Sequence, residues 1–143
     1  MKTLYELDFY AWTQSQAYLI QNQKWAELDI INLVEEIEAL GRKERQELRS
    51  RLGLLLGHLL KWQHQPTQRS NSWLATIREQ RREIHILLKE SPSLKPYLEE
   101  ALQISYESAI DLAVRETNLP FETFPTLCPF TIDEIFSSDF LPQ

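Results

Sequence analysis

The run Leu52-Gly53-Leu54-Leu55-Leu56-Gly57-His58-Leu59-Leu60-Lys61-Trp62 restricts this chain more than any other stretch. Wound as a helix, it is apolar on every side rather than along one stripe, so other elements must cover it all round. A chain of 143 residues is long enough for one domain to do so. With three glycines, the covering elements read as helices rather than turn-rich strands. The expectation is a single all-α domain over residues 1–143: a compact bundle of four or five helices with a proline-rich tail, about 119–143, packed on it.

Thr3 and Glu6 have capping-box spacing, predicting a helix that carries Tyr5, Phe9, Trp12, Leu19 and Ile20 to about Gln21, with Gln16 as a polar interruption. Asp29 suits the N-cap of the next helix. From there an apolar stripe runs through Ile30, Leu33, Val34, Ile37 and Leu40, then Leu48, Leu52, Leu55, Leu59 and Trp62, with Gly41 on the stripe and Glu44 at its edge. One straight helix from Asp29 to Gln63 would be about 52 Å long against a diameter of roughly 37 Å for a compact chain of this size. Such a helix is expected to bend or break, with Gly41 the place for it, or to protrude; Gly41 could instead let another helix approach closely, and one helix or two are both open. Gly53 and Gly57 share a face that admits a bulky neighbour, and Pro66 ends the segment.

Ser70, Asn71 or Ser72 caps a third helix bearing Trp73, Ile77, Ile84 and Leu88, with Arg81 in the middle of that apolar face. A buried guanidinium needs a partner, so Arg81 either snorkels out or meets a carboxylate. Ser91-Pro92 opens a fourth helix to about Thr117, which Asn118 and Pro120 end. Pro120, Pro125, Pro129 and Pro142 exclude a long helix beyond it, yet the tail's phenylalanines and isoleucines require docking. Thr131 and Glu134 repeat the capping-box spacing and predict a short helix from about Ile132 to Phe136.

The net charge of −6 is unevenly spread: −5 over residues 1–40, +6 over 41–90 and −7 over 91–143. The acidic ends would repel phosphate, so the basic middle is expected to pair internally rather than to bind nucleic acid. No stretch reaches the ~20 apolar residues of a membrane span. The lone Cys128 suits a reducing compartment, and the chain is expected to be soluble and cytoplasmic.

No histidine has Glu three residues before it, which disfavours a di-iron bundle. His58 is expected to be structural, and Cys128, among apolar neighbours, inert. No nucleophile elbow or phosphate-binding glycine loop occurs, no catalytic residue stands out, and no cofactor is called for. Glu35 and Glu38, with Glu107 and Asp111 as a second pair, have spacing that a Mg²⁺-dependent all-helical nucleotide pyrophosphohydrolase would use, although acidic pairs on helix surfaces are common. His58, Trp62, Arg69, Trp73, Arg78 and Arg81 set polar groups among bulky apolar ones. They could bind an anion or a partner's carboxylate; a buried ion-pair network with Glu36 or Glu44 is the leading reading.

Leu4-Tyr5-Glu6, Asp8-Phe9-Tyr10-Ala11-Trp12, Glu35-Glu36-Ile37-Glu38 followed by Leu40-Gly41, His58-Leu59-Leu60-Lys61-Trp62, Ser72-Trp73, Thr76-Ile77-Arg78 and Thr123-Phe124-Pro125 together resemble the bacterial, mainly cyanobacterial, family called domain of unknown function 29. The resemblance spans nearly the whole chain. It implies a compact helical domain from a bacterial cytoplasm and brings no activity or site residue. The leading expectation is an interaction module, self-associating or serving a protein partner; the Mg²⁺-dependent hydrolase is the alternative.

Overall fold

The computed structural model describes all residues from Met1 to Gln143. It is all-helical: α1 (Leu4–Leu7), α2 (Phe9–Gln21), α3 (Ile30–His64), α4 (Asn71–Glu90), α5 (Leu98–Thr117) and α6 (Ile132–Phe136), with 3₁₀ turns at Trp25–Glu27, Pro66–Gln68, Pro92–Tyr97 and Phe121–Thr123. The chain divides into two compact units, Met1–Lys43 and Glu44–Gln143, and α3 contributes to both.

In the first unit the expected capping box does not form. The Thr3 hydroxyl donates to the Glu6 carboxylate at 3.3 Å, and no side chain caps α1. Asp8 breaks the expected helix by accepting from the Ala11 N–H at 3.1 Å and capping α2, an instance of a short acidic side chain competing with the helical ladder. That break is why there are six helices rather than four or five. Asp29 begins α3 as expected: its carboxylate accepts from the Asn32 N–H and from the Asn32 amide, and its other partner is the Trp12 indole at 2.9 Å. Buried Gln16 accepts the Asp29 N–H at 2.9 Å, so the polar interruption in the α2 stripe ties α2 to the start of α3.

Helix α3 runs uninterrupted for 35 residues, which settles the question of one helix or two. Gly41 neither breaks it nor admits a neighbour: nothing lies within 4 Å of where its Cβ would be.

The second unit holds the core. Leu48, Leu52, Leu55, Leu56, Leu59 and Leu60 are fully buried, joined by Ile77 and Ile84 of α4 and Ala101, Ala109 and Ala113 of α5. Leu54 departs from the all-round burial expected here and is 37% exposed. Gly53 and Gly57 face α5, and the bulky neighbour expected there is found at Gly57 alone. A Cβ at Gly57 would come within 2.7 Å of Leu112 Cδ2, whereas one at Gly53 would make ordinary contact with Ser108 at 3.6 Å. Ser70 caps α4 through the Trp73 N–H. Pro92 begins a 3₁₀ turn rather than α5 itself, since a second proline, Pro96, removes a further donor and delays the α-helix to Leu98. Asn118 closes α5 in the left-handed conformation at φ 60°.

The tail docks as expected, burying Phe124, Phe130 and Ile135. The Tyr106 hydroxyl holds it by donating to the Pro125 carbonyl at 2.6 Å. Helix α6 starts with both hydrogen bonds of the Thr131–Glu134 capping box in place.

Candidate functional site

The side chains singled out in the sequence separate into four groups. His58 is buried, with Nδ1 2.9 Å from the Leu54 carbonyl one turn back, and burial holds its pKa below the ordinary histidine range. Beside it Lys61, which sequence reasoning passed over, is 3% exposed. Its ammonium donates to Glu116 Oε1 at 2.6 Å and sits 4.4 Å from the centre of the Trp73 ring. The hydrogen bond from Lys61 keeps the Glu116 carboxyl below its usual range. Arg69 stacks over Trp62 at 5.0 Å and donates Nε–H to the Trp62 carbonyl at 2.8 Å. This group is a closed polar lining: each head group already has its partner, and nothing in it is poised for chemistry.

Arg81 corrects an expectation. It is 7% exposed and meets no carboxylate within ion-pair distance. Its Nε–H donates to the Ile135 carbonyl at 2.8 Å and an Nη2–H to the Glu134 carbonyl at 3.2 Å, capping the last turn of α6. A five-residue helix leaves its final carbonyls without intrahelical donors, and a planar guanidinium at the negative end of the helix supplies them. Glu36 is engaged elsewhere. It accepts from the Tyr5 hydroxyl at 2.6 Å, a hydrogen bond that pushes the Tyr5 pKa up to about 12. Glu44 is exposed. The ion-pair network expected for Arg81 with these two glutamates is replaced by backbone capping.

Arg78 and Arg81 nevertheless stand together, along with Arg82 and His85, around a cavity of about 480 Å³ that Ile86, Phe136 and Ser138 complete. Arg82 and His85 were not anticipated as site residues. Their signal was the spacing from Arg78 of four and seven, which puts all three on one helical face.

The carboxylates required for magnesium are not assembled. Glu35, Glu38, Glu107 and Asp111 are all exposed, Glu35 pairs with Arg42 at 3.0 Å, and no three acidic, histidine or cysteine side chains converge where a metal ion could sit.

The fourth group is apolar and lies in the Met1–Lys43 unit. Here α2 contributes the buried Trp12, whose indole and the rings of its neighbours Tyr5 and Phe9 form an edge-and-stack aromatic cluster with centroids 4.7–5.8 Å apart. The expected stripe of α3, by contrast, is largely uncovered: Leu33 is half-buried, but Ile30, Val34, Ile37 and Leu40 are 56, 47, 66 and 61% exposed, and Ile31 beside them 84%. Contiguous large apolar side chains on a helix face mark a binding surface far more often than scattered ones do.

No helix is long and apolar enough to cross a membrane. A family described as domain of unknown function DUF29 matches residues 4–141. Comparison with curated proteins and with solved structures finds no match.

Proposed function

This chain belongs to the DUF29 family, and we propose that it is a self-associating interaction module in which the apolar face of Ile30–Gly41 pairs antiparallel with the same face of a second copy. The exposure of Ile30, Ile31, Val34, Ile37 and Leu40 carries the reading. The identity of the occupant follows from spacing. Ile30, Val34, Ile37 and Gly41 are separated by four, three and four residues, a coiled-coil seam. Antiparallel pairing that sets Val34 against Ile37 also sets Ile30 against Gly41, a two-fold self-complementary surface in which an isoleucine meets the missing side chain. In the same register Arg42 and Lys43 of one copy run alongside Glu27 and Asp29 of the other.

The energetics suit a reversible dimer. Covering these half-exposed side chains contributes about 1 kcal/mol each, or about 10 kcal/mol over both copies, against an association cost of about 4–15 kcal/mol. The unpaired Cys128 and the absence of a helix able to cross a membrane support a cytoplasmic setting.

Sedimentation velocity from ~1 µM to ~1 mM, a range worth about 4 kcal/mol of association free energy, tests the reading. The native chain is expected to shift from monomer to dimer across it, and Ile37→Glu to stay monomeric while keeping its helical circular dichroism. A native chain that remains monomeric throughout refutes self-association.

A further inference from the structure

We propose that the cavity between α4 and the C-terminal tail is a binding site for a small phosphate monoester whose organic part is apolar. The cavity gathers Arg78, Arg81, Arg82 and His85 in a chain whose net charge is −6. None of the three arginines has a carboxylate oxygen within 4 Å. Acidic proteins have carboxylates to spare for pairing surface arginines, and here they are withheld: neither Glu79 nor Glu83, the nearest acidic residues of α4, lines the cavity.

Arg81 gives the site its fixed point. Long cationic side chains ordinarily lose considerable rotamer freedom when they bind an anion. This one is already immobilised by the Glu134 and Ile135 carbonyls, which take its Nε–H and one Nη2–H and leave the remaining N–H groups of the fork unspent. Because carbonyls rather than a carboxylate hold it, its full positive charge persists in a half-enclosed space where an anion is attracted more strongly than in open water. Burial lowers the Arg81 pKa and the charge of Asp139 raises it; Asp139 is the carboxylate acting on this guanidinium, and it stands beyond ion-pair distance.

Arg78 and Arg82, both exposed, lie four apart on α4, one turn along the same face, so they can close on a ligand from the rim. A dianionic phosphate head matches several converging guanidinium donors better than a monoanionic carboxylate does. The rest of the lining includes apolar surface, with Ile86, one turn beyond Arg82 on α4, 42% exposed and the Phe136 ring of α6 half-buried. At about 480 Å³ the cavity exceeds what a bare phosphate fills and falls in the range of small-molecule sites. Phosphate at the arginines with a ring or short chain on Ile86 and Phe136 fits both kinds of lining.

Calorimetric titration of the full chain with phenyl phosphate, inorganic phosphate and benzoate tests this. Phenyl phosphate is expected to bind saturably and at least about tenfold more tightly than inorganic phosphate or benzoate. Because Arg81 also holds α6, the variants of choice are Arg78→Gln and Arg82→Gln, each expected to weaken phenyl phosphate about tenfold or more while leaving the thermal midpoint unchanged. Absence of saturable phenyl phosphate binding, equal binding of benzoate, or binding that both variants leave intact would overturn the proposal.

Discussion

At the scale of single residues, Arg81 shows how a buried charge can be accommodated without a counter-charge. Its guanidinium satisfies two carbonyls that the shortness of α6 would leave bare. Arg81→Ala is therefore expected to destabilise the fold by about 2–3 kcal/mol, the cost of orphaning buried acceptors and losing a charge-assisted pair. Arg81→Lys should recover little, because one ammonium cannot reproduce the two-pronged geometry. Chemical denaturation of both variants checks this, and a loss below about 1 kcal/mol for the alanine variant would show the capping to be dispensable. Only the need for a partner was readable from sequence. Arg81 in the middle of an apolar stripe announced that a partner was needed, but a carbonyl carries no mark in the residue pattern, whereas a carboxylate does.

Two histidines set the pH response. Burial holds both His58 and His64 below the ordinary histidine range. The unfolded chain thus binds more protons than the folded one once the pH drops below the unfolded histidine value of about 6.5. The stability that neutral His58 and His64 retain above that value is lost as the pH falls toward their depressed folded values. Urea midpoints measured from pH 8 to pH 5 should be level at first and then decline, with a smaller decline in His58→Gln. A midpoint that rises on acidification to pH 5 would contradict this sign.

Among the elements, α3 was the hardest to foresee. A glycine on the stripe and a length beyond the expected diameter left a bend, a break or a protruding helix all open, and the helix is continuous. Gly41 is exposed with open space at its Cβ position, so helix geometry alone would favour almost any other residue there. Gly41→Gln separates two effects of opposite sign. At low concentration it should stabilise the chain by up to about 1 kcal/mol through helix propensity, and at high concentration it should weaken self-association by filling the space assigned to Ile30 of a second copy. Denaturation at two protein concentrations reads both, and stronger association in Gly41→Gln would exclude the proposed register. Elements governed by periodicity were legible: the Leu48–Trp62 core segment, the α5 stop at Asn118 and the α6 capping box all stand where the spacing placed them. The elements misplaced were those decided by local competition. Asp8 diverts a backbone N–H to its own carboxylate, and Pro96 holds the chain in a 3₁₀ turn before α5.

For the whole molecule, the informative contrast is between the two compact units. In Glu44–Gln143 the apolar stripe is consumed by packing, as its pattern required. In Met1–Lys43 the equivalent stripe positions of α3 are largely exposed. Periodicity identifies a face that must be covered without saying by what, so the sequence could locate Ile30, Val34 and Ile37 as core-like and could not reveal that no element of their own unit covers them. The basic cavity was half legible for the same reason: Arg78 and Arg81 stood out, while the wall supplied by Phe136 depended on where the tail docks.

The central claim is that a second copy covers this face in antiparallel register, and disulfide trapping reads that register directly. In a Cys128→Ala background, Ile30→Cys and Gly41→Cys are prepared as separate proteins and oxidised alone and mixed. Antiparallel pairing brings position 30 against position 41, whereas like positions in the two copies stand roughly 16 Å apart along the helix, far beyond disulfide reach. A crosslinked dimer that forms efficiently in the mixture and poorly with either protein alone is the predicted result; efficient crosslinking of Ile30→Cys to itself, or no crosslink in the mixture at millimolar concentration, would contradict it.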